Sequence, residues 1–173
     1  MLLREASFRD MEELMAFYTV TNEVINVRND QYDPENEIFP SEEMVSSAVG
    51  RREQIVGIED GRIVLALIAN GECDDSYHTV RWNTEAGPGE FWVIHALRVL
   101  PEYEGRGFAK QALAHLIGRA PQCGIKAIRL DVLEGYGVAE LYRHFGFRYV
   151  DTVEIFYADI GHPEKFRLLE RVI

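Results

Sequence analysis

Gly105 and Gly107 stand between an apolar decapeptide, Phe91 to Leu100, and a helical pattern that begins near Phe108. With Pro101 ending the apolar run, the order is strand, loop, helix. A loop that lacks side chains at these positions lets backbone N–H groups turn toward a ligand, and a helix start adds unpaired donors and a partial positive charge. The combination suits a phosphate or pyrophosphate. Arg106 and Lys110 add local positive charge to a chain whose formal net charge is -11. The same spacing also serves as a plain tight connection. Elsewhere three side chains could move a proton: His95 within the apolar run, Asp131 in Leu130-Asp131-Val132, and Tyr142 on the apolar stripe of a short helix. Each also has a structural reading. His95 fits a hydrogen-bonded core histidine, Asp131 a solvent-facing or paired carboxylate, and Tyr142 a packed ring with its hydroxyl satisfied. His78, His115, His144 and His162 fall in loops or on polar helix faces and take no role.

The elements that must position these groups are legible along the chain. After the glycines, Phe108, Ala109, Ala112, Leu113, Leu116, Ile117 and Ala120 form one apolar stripe, opposite Gln111, His115 and Arg119. Leu2 to Phe8 reads as an opening strand, and Asp10 as the N-cap of a helix whose inner face uses Met11, Leu14, Met15, Tyr18 and Ile25. Asn26 to Pro40 is irregular and acidic, with Asp30, Tyr32, Asp33, Glu35 and Glu37, before Ser41 caps a second helix through Met44, Val45, Ala48 and Val49. Gln54 to Glu59 and Arg62 to Ala69 form a hairpin across Asp60-Gly61. Asn70 to Glu90, around Tyr77, His78 and Trp82, reads as a loop with room for some strand. Lys126 to Leu133 is a second strand of the core. It leads through Glu134-Gly135-Tyr136-Gly137 to a helix with Val138, Leu141, Tyr142 and Phe145 inward, which Gly146 ends. Phe147 to Tyr157 and the alternating Phe166, Leu168, Glu170 and Val172 predict a closing hairpin, although Glu164 to Arg171 also fits a helix.

At 173 residues the chain has the length of one domain, 1–173, able to bury a substantial core. The excess of 29 Asp and Glu over 18 Lys and Arg disfavours a nucleic-acid surface. It is compatible with a cationic or amine substrate, and equally with plain solubility. No apolar run approaches a membrane span, and MLLREASFRD lacks the apolar centre of a secretory signal, so a cytoplasmic protein is expected. Cys73 and Cys123, without a CxxC or a His pair, predict reduced thiols and no zinc site.

Val99-Leu100-Pro101 followed by Glu104-Gly105-Arg106-Gly107-Phe108-Ala109 resembles the pyrophosphate loop of the GNAT superfamily of acyl-CoA-dependent N-acyltransferases. There a strand ending in Val-x-Pro precedes Gln/Arg-x-x-Gly-x-Gly/Ala. Glu104 departs from that pattern and puts a carboxylate near where anionic CoA would lie. Leu141-Tyr142-Arg143-His144-Phe145-Gly146-Phe147 resembles the family's Leu-Tyr-x-x-x-Gly-Phe signature. The resemblance covers most of the chain. It implies a GNAT-like α/β (α+β) fold, a mixed central sheet of six to seven strands flanked by about four helices.

It also implies acetyl-CoA as co-substrate, no metal, and direct transfer of the acetyl group to an amine of a small molecule or peptide. Near neutral pH an amine must lose a proton and the leaving thiolate must gain one. By resemblance Tyr142 is the acid. His95 is the first candidate base, because His95-Ala96-Leu97-Arg98-Val99 is similar to the same strand of arylalkylamine acetyltransferases. Asp131 is the second, at a position where related enzymes often have Glu. Leu97, Arg98 and Val99 would pair with pantetheine amides and stabilise the oxyanion. Gly105, Arg106, Gly107, Phe108, Ala109 and Lys110 would hold the pyrophosphate. Gly135 stands where the family often has an Asn that contacts pantetheine, and the segment between the first two helices often helps form the acceptor pocket. The competing reading is a non-catalytic acyl-CoA-binding or interaction module on the same fold. Glu104 and Gly135 favour it, whereas Tyr142 and His95 favour an enzyme. A polyamine, an aminoglycoside, an amino acid and a protein N-terminus all stay open as acceptors. No nucleic acid or membrane partner is expected, and a homodimer is compatible with this reading.

Overall fold

A computed structural model describes residues 1–28, 38–135, 137 and 139–173. The acidic residues Asp30, Asp33, Glu35 and Glu37, with Tyr32, lie outside the described residues, as do Tyr136 and Val138. The strands are β1 (Leu2–Glu5), β2 (Gln54–Glu59), β3 (Arg62–Asn70), β4 (Phe91–Val99), β5 (Ala127–Leu133), β6 (Arg148–Phe156) and β7 (Pro163–Val172). The helices are α1 (Met11–Arg28), α2 (Glu42–Gly50), α3 (Phe108–Arg119) and α4 (Ala139–His144). The strands form a seven-stranded mixed sheet in the order β1-β2-β3-β4-β5-β7-β6. Among the described residues no helix is long and apolar enough to cross a membrane.

The described residues fall into two compact units. The first comprises Met1–Ala69, His95–Ala112 and Ala158–Gly161. Its core joins Leu14, Phe17 and Tyr18 of α1 to Val45, Ala48 and Val49 of α2 and to Val56, Leu65 and Leu67 of the sheet, all buried. The β2–β3 hairpin is as expected from its turn: Asp60 at φ 51 and Gly61 at φ 76 are both left-handed, as a two-residue turn requires. Ser41 caps α2 by accepting the Met44 amide at 3.2 Å.

The opening strand is shorter than the sequence suggested, and Asp10 is not the cap of α1. A 3-10 turn, Phe8–Asp10, comes between them. Asp10 accepts the Ser7 amide at 2.7 Å and both Arg4 guanidinium nitrogens at 2.9 and 2.7 Å. The Arg4 hydrogen bonds hold the Asp10 carboxyl well below the usual carboxylate range. A depressed carboxyl contributes stability that is full above its unfolded value, here 3.8, and is lost as pH falls. Asp10→Asn is therefore expected to destabilise the fold by about 1 kcal/mol at pH 7. In thermal melts the gap between parent and variant should narrow as pH falls below about 4 and close only well below about pH 3, where the depressed carboxyl takes up its proton; a gap unchanged across that range would mean the charge is not the cause.

The second unit comprises Asn70–Ile94, Leu113–Tyr157 and His162–Ile173. Its one parallel pairing joins Phe91–Val93 of β4 to β5, with Phe91↔Ala127 and Val93↔Arg129 opposite one another. β7 lies antiparallel to β5 and to β6, so the tail is the hairpin and not the helix that its pattern also allowed. Burial explains the choice: Phe166, Leu168 and Glu170, two apart, are 5%, 0% and 1% exposed on a strand, whereas helical spacing would scatter them around an axis. The buried Glu170 is paired. It accepts Arg129 Nε at 3.1 Å and the Asn83 amide at 2.8 Å, while the Arg129 guanidinium lies 4.2 Å from the Trp82 ring centre and 4.5 Å from that of Phe91. That cluster pins the β3–β4 connection. Among its described residues the connection holds a 3-10 turn, Asp75–His78, and no strand.

Candidate active site

In the first unit, the chain leaves β4 through a 3-10 turn, Pro101–Tyr103, and enters α3 across Glu104–Gly107. Gly105 and Gly107 have φ 74 and φ 82, which L side chains rarely adopt. No atom lies within 4 Å of where a Cβ would project from either. The first helical bond of α3 runs from the Gln111 amide to the Gly107 carbonyl at 3.0 Å. The amides of Phe108, Ala109 and Lys110 precede that bond and have no partner within the helix. Gly107 itself carries no side chain that could cap them. The result is a cradle of donors beside open space at the positive end of a helix dipole.

The loop is braced by its own side chains. The Tyr103 ring stacks on the buried Phe108 with centres 6.2 Å apart, and the Arg106 guanidinium sits 4.6 Å from the Tyr103 ring centre. Arg106 Nη2 also donates to the Glu102 carbonyl at 3.1 Å. The positive charge counted from sequence therefore partly serves the loop itself. Glu104 and Lys110 are exposed.

Upstream, Ala96 has φ 49 in the middle of β4. A left-handed non-glycine residue inside a strand costs about 1–2 kcal/mol and turns neighbouring peptide groups away from their regular ladder. His95, Leu97 and Val99 beside it are partly exposed. Arg98 departs from its neighbours. Its side chain is buried, donating to Asn22 Oδ1 at 3.1 Å and lying 5.9 Å from the Tyr18 ring centre.

Tyr142 and Asp131 belong to the second unit. Tyr142 is 9% exposed on α4, with its ring edge-on to Phe147 at 5.6 Å between centres. Its carbonyl accepts the amides of Phe145 and Phe147 at 3.0 and 3.1 Å, and Gly146 closes the helix at φ 79. This is the glycine-ended cap with its accompanying apolar contact. The Arg171 guanidinium stands against the position a Gly146 Cβ would take, so the glycine is required twice over.

Asp131, on β5, accepts the Tyr77 hydroxyl at 2.8 Å and the Tyr157 hydroxyl at 3.0 Å, both on Oδ2. Burial pushes its carboxyl above the ordinary range, with the negative charge of Asp74 adding to the effect and the two phenols opposing it. Burial also raises the Tyr77 hydroxyl, so it stays a proton donor. Sequence reasoning passed over Tyr77 and Tyr157. Asp74-Asp75-Ser76 was the available signal for Tyr77, because the Asp74 side chain accepts the Ser76 amide at 2.9 Å and starts the turn that presents it. Among the described residues, no group of three His, Cys, Asp or Glu side chains is placed to hold a metal ion.

The family model described as acetyltransferase (GNAT) family matches residues 14–147. The [ribosomal protein bS18]-alanine N-acetyltransferase of Haemophilus influenzae is 34% identical over 65 residues, which is 38% of this chain and 44% of that relative. The chain thus spans under half the length of that curated relative. The crystal structure of the ribosomal-protein-alanine N-acetyltransferase from Brucella melitensis superposes with a TM-score of 0.72 at 17% identity, covering 100% of both chains. The structure of yncA from Salmonella typhimurium with its cofactor acetyl-CoA gives 0.68 at 14% identity, covering 99% of this chain and 93% of that one. At such identities the two structures establish the shared fold.

Proposed function

Because the chain belongs to the acetyltransferase (GNAT) family, we propose that it moves the acetyl group of acetyl-CoA directly to an amine of a small molecule or peptide. The observation that carries this reading is the donor cradle at Gly105–Lys110, with its left-handed glycines and first amides of α3 that lie ahead of the first helical bond. In this reading those amides hold the pyrophosphate of CoA. Leu97, Arg98 and Val99, next to the left-handed Ala96, offer backbone groups to the pantetheine amides and the oxyanion. His95 takes the amine proton and Tyr142 returns one to the departing thiolate. Electron flow then balances: the amine nitrogen bonds to the acetyl carbon, the carbon–sulfur bond breaks, and the sulfur leaves as a thiol.

The direct test is thiol release from acetyl-CoA with a panel of a polyamine, an amino acid and a peptide with a free N-terminus. Amine-dependent release is expected with at least one member. CoA binding without release from any amine would favour the non-catalytic module instead.

Glu104 provides a second check on the cofactor site. It occupies the position where the family pattern has Gln or Arg, at the rim of the cradle, and is exposed. Glu104→Gln removes one negative charge next to two phosphates and is expected to tighten CoA about two- to fivefold at low salt, with the gain shrinking as salt is added. Calorimetric titration at two salt concentrations measures this. Weaker binding would show that the carboxylate orients the loop.

A further inference from the structure

Asp131 is a half-buried residue of β5. Its partners are the hydroxyls of Tyr77 and Tyr157, and among the described residues no Lys, Arg or His pairs with it. The nearest cation along β5, Arg129, is already committed to Glu170 and to the Thr84 carbonyl. A carboxylate withdrawn from water without a cation is costly to keep charged. Here two phenol donors converge on Oδ2 and fix the group. The rings around it suit a cation. Tyr77 lies 5.2 Å from Trp82 between ring centres, and Tyr157 is edge-on to Phe166 at 5.1 Å. Aromatic surfaces beside a carboxylate attract an ammonium both by charge and through the ring quadrupole.

Resting on the acetyltransferase reading above, we propose that Asp131, held in place by Tyr77 and Tyr157, binds the ammonium form of the acceptor, so that this enzyme takes cationic primary amines. Asp131 is then the group that touches the acceptor, and the two tyrosines are positioning residues. The rise of the Asp131 carboxyl through burial agrees with an anion that lacks its cation.

The pair of tyrosines also suits a purely structural role, tying the Asp75–His78 turn and the end of β6 to β5. Two readouts separate the roles. The first is steady-state transfer at saturating acetyl-CoA. Asp131→Asn is expected to raise KM for the amine about tenfold, and Tyr77→Phe and Tyr157→Phe about threefold each, while KM for acetyl-CoA stays unchanged. The second requires no turnover. In a Trp92→Phe background Trp82 is the remaining tryptophan of the two in the chain. Its N–H donates to the Tyr77 carbonyl at 2.8 Å, so its emission should report a ligand at Asp131.

Titration with butylamine near neutral pH should shift that emission, titration with the neutral butanol should not, and Asp131→Asn should abolish the butylamine response. If no amine is acetylated but the butylamine response survives and depends on Asp131, the acetyltransferase reading fails and the ammonium site stands. An unchanged amine KM and an unchanged butylamine titration in folded Asp131→Asn would leave the cluster a structural tie and overturn the proposal. Should Asp131→Asn not fold, Tyr157→Phe decides, because it removes one donor and keeps the ring against Phe166.

Discussion

Tyr142→Phe is expected to fold like the parent and to release thiol about 10–1000-fold more slowly, a loss of about 1.4–4 kcal/mol of transition-state stabilisation. The fold should survive because the ring and the backbone of Tyr142 both serve the packing of α4 and are kept. Its ring meets Phe147 and its carbonyl takes the two capping amides of α4, and phenylalanine keeps both. The measurement is initial rate against pH, under conditions where chemistry is limiting, with one accepted amine. A variant as fast as the parent throughout would remove Tyr142 from the proton-transfer scheme. His95→Ala is the complement: an imidazole base makes the rate rise through neutrality, and its loss should flatten that limb while acetyl-CoA binds nearly as before. If the limb survives in His95→Ala, the proton goes to Asp131 or the amine arrives already neutral. The two variants therefore separate the acid from the base.

Gly107→Val should weaken acetyl-CoA binding at least about 30-fold, because a side chain there fills the space a phosphate would occupy and forces a β-branched residue to φ 82. Backbone strain of about 1–2 kcal/mol accompanies the change, so a lower melting temperature is expected as well. Gly124 offers the control. It has φ 72, with nothing within 4 Å of a Cβ position, in the turn before β5 and outside the Glu104–Lys110 segment. Gly124→Val should lose similar stability and bind acetyl-CoA like the parent. Calorimetry on folded protein reads both, and equal affinity in Gly107→Val and the parent would remove the pyrophosphate from this loop.

What could be read without coordinates was whatever short-range chemistry dictates. Asp60-Gly61 specifies a two-residue turn because few other residues accept left-handed backbone twice in succession, and Ser41 announces α2 because its hydroxyl can satisfy an amide of the first turn. The strand, glycine loop and amphipathic α3 were legible for the same reason. The alternation of Phe166, Leu168 and Glu170 was ambiguous until β5 and β6 lay on either side to accept β7. Local rules misplaced Asp10, because its partners are Ser7 and a guanidinium six residues back, a competition that cap propensity does not include. They were silent on the left-handed Ala96, since nothing in alanine asks for positive φ and only its surroundings can impose it. Asp131 shows the limit most clearly. Its tyrosines are 54 positions before and 26 positions after it in the chain, and one comes from a connection that reads as loop. Periodicity and capping reach a turn or two along the backbone. Which hydroxyls meet a given carboxylate depends on how β5, β6 and a 3-10 turn are brought together, and that was decided by tertiary packing.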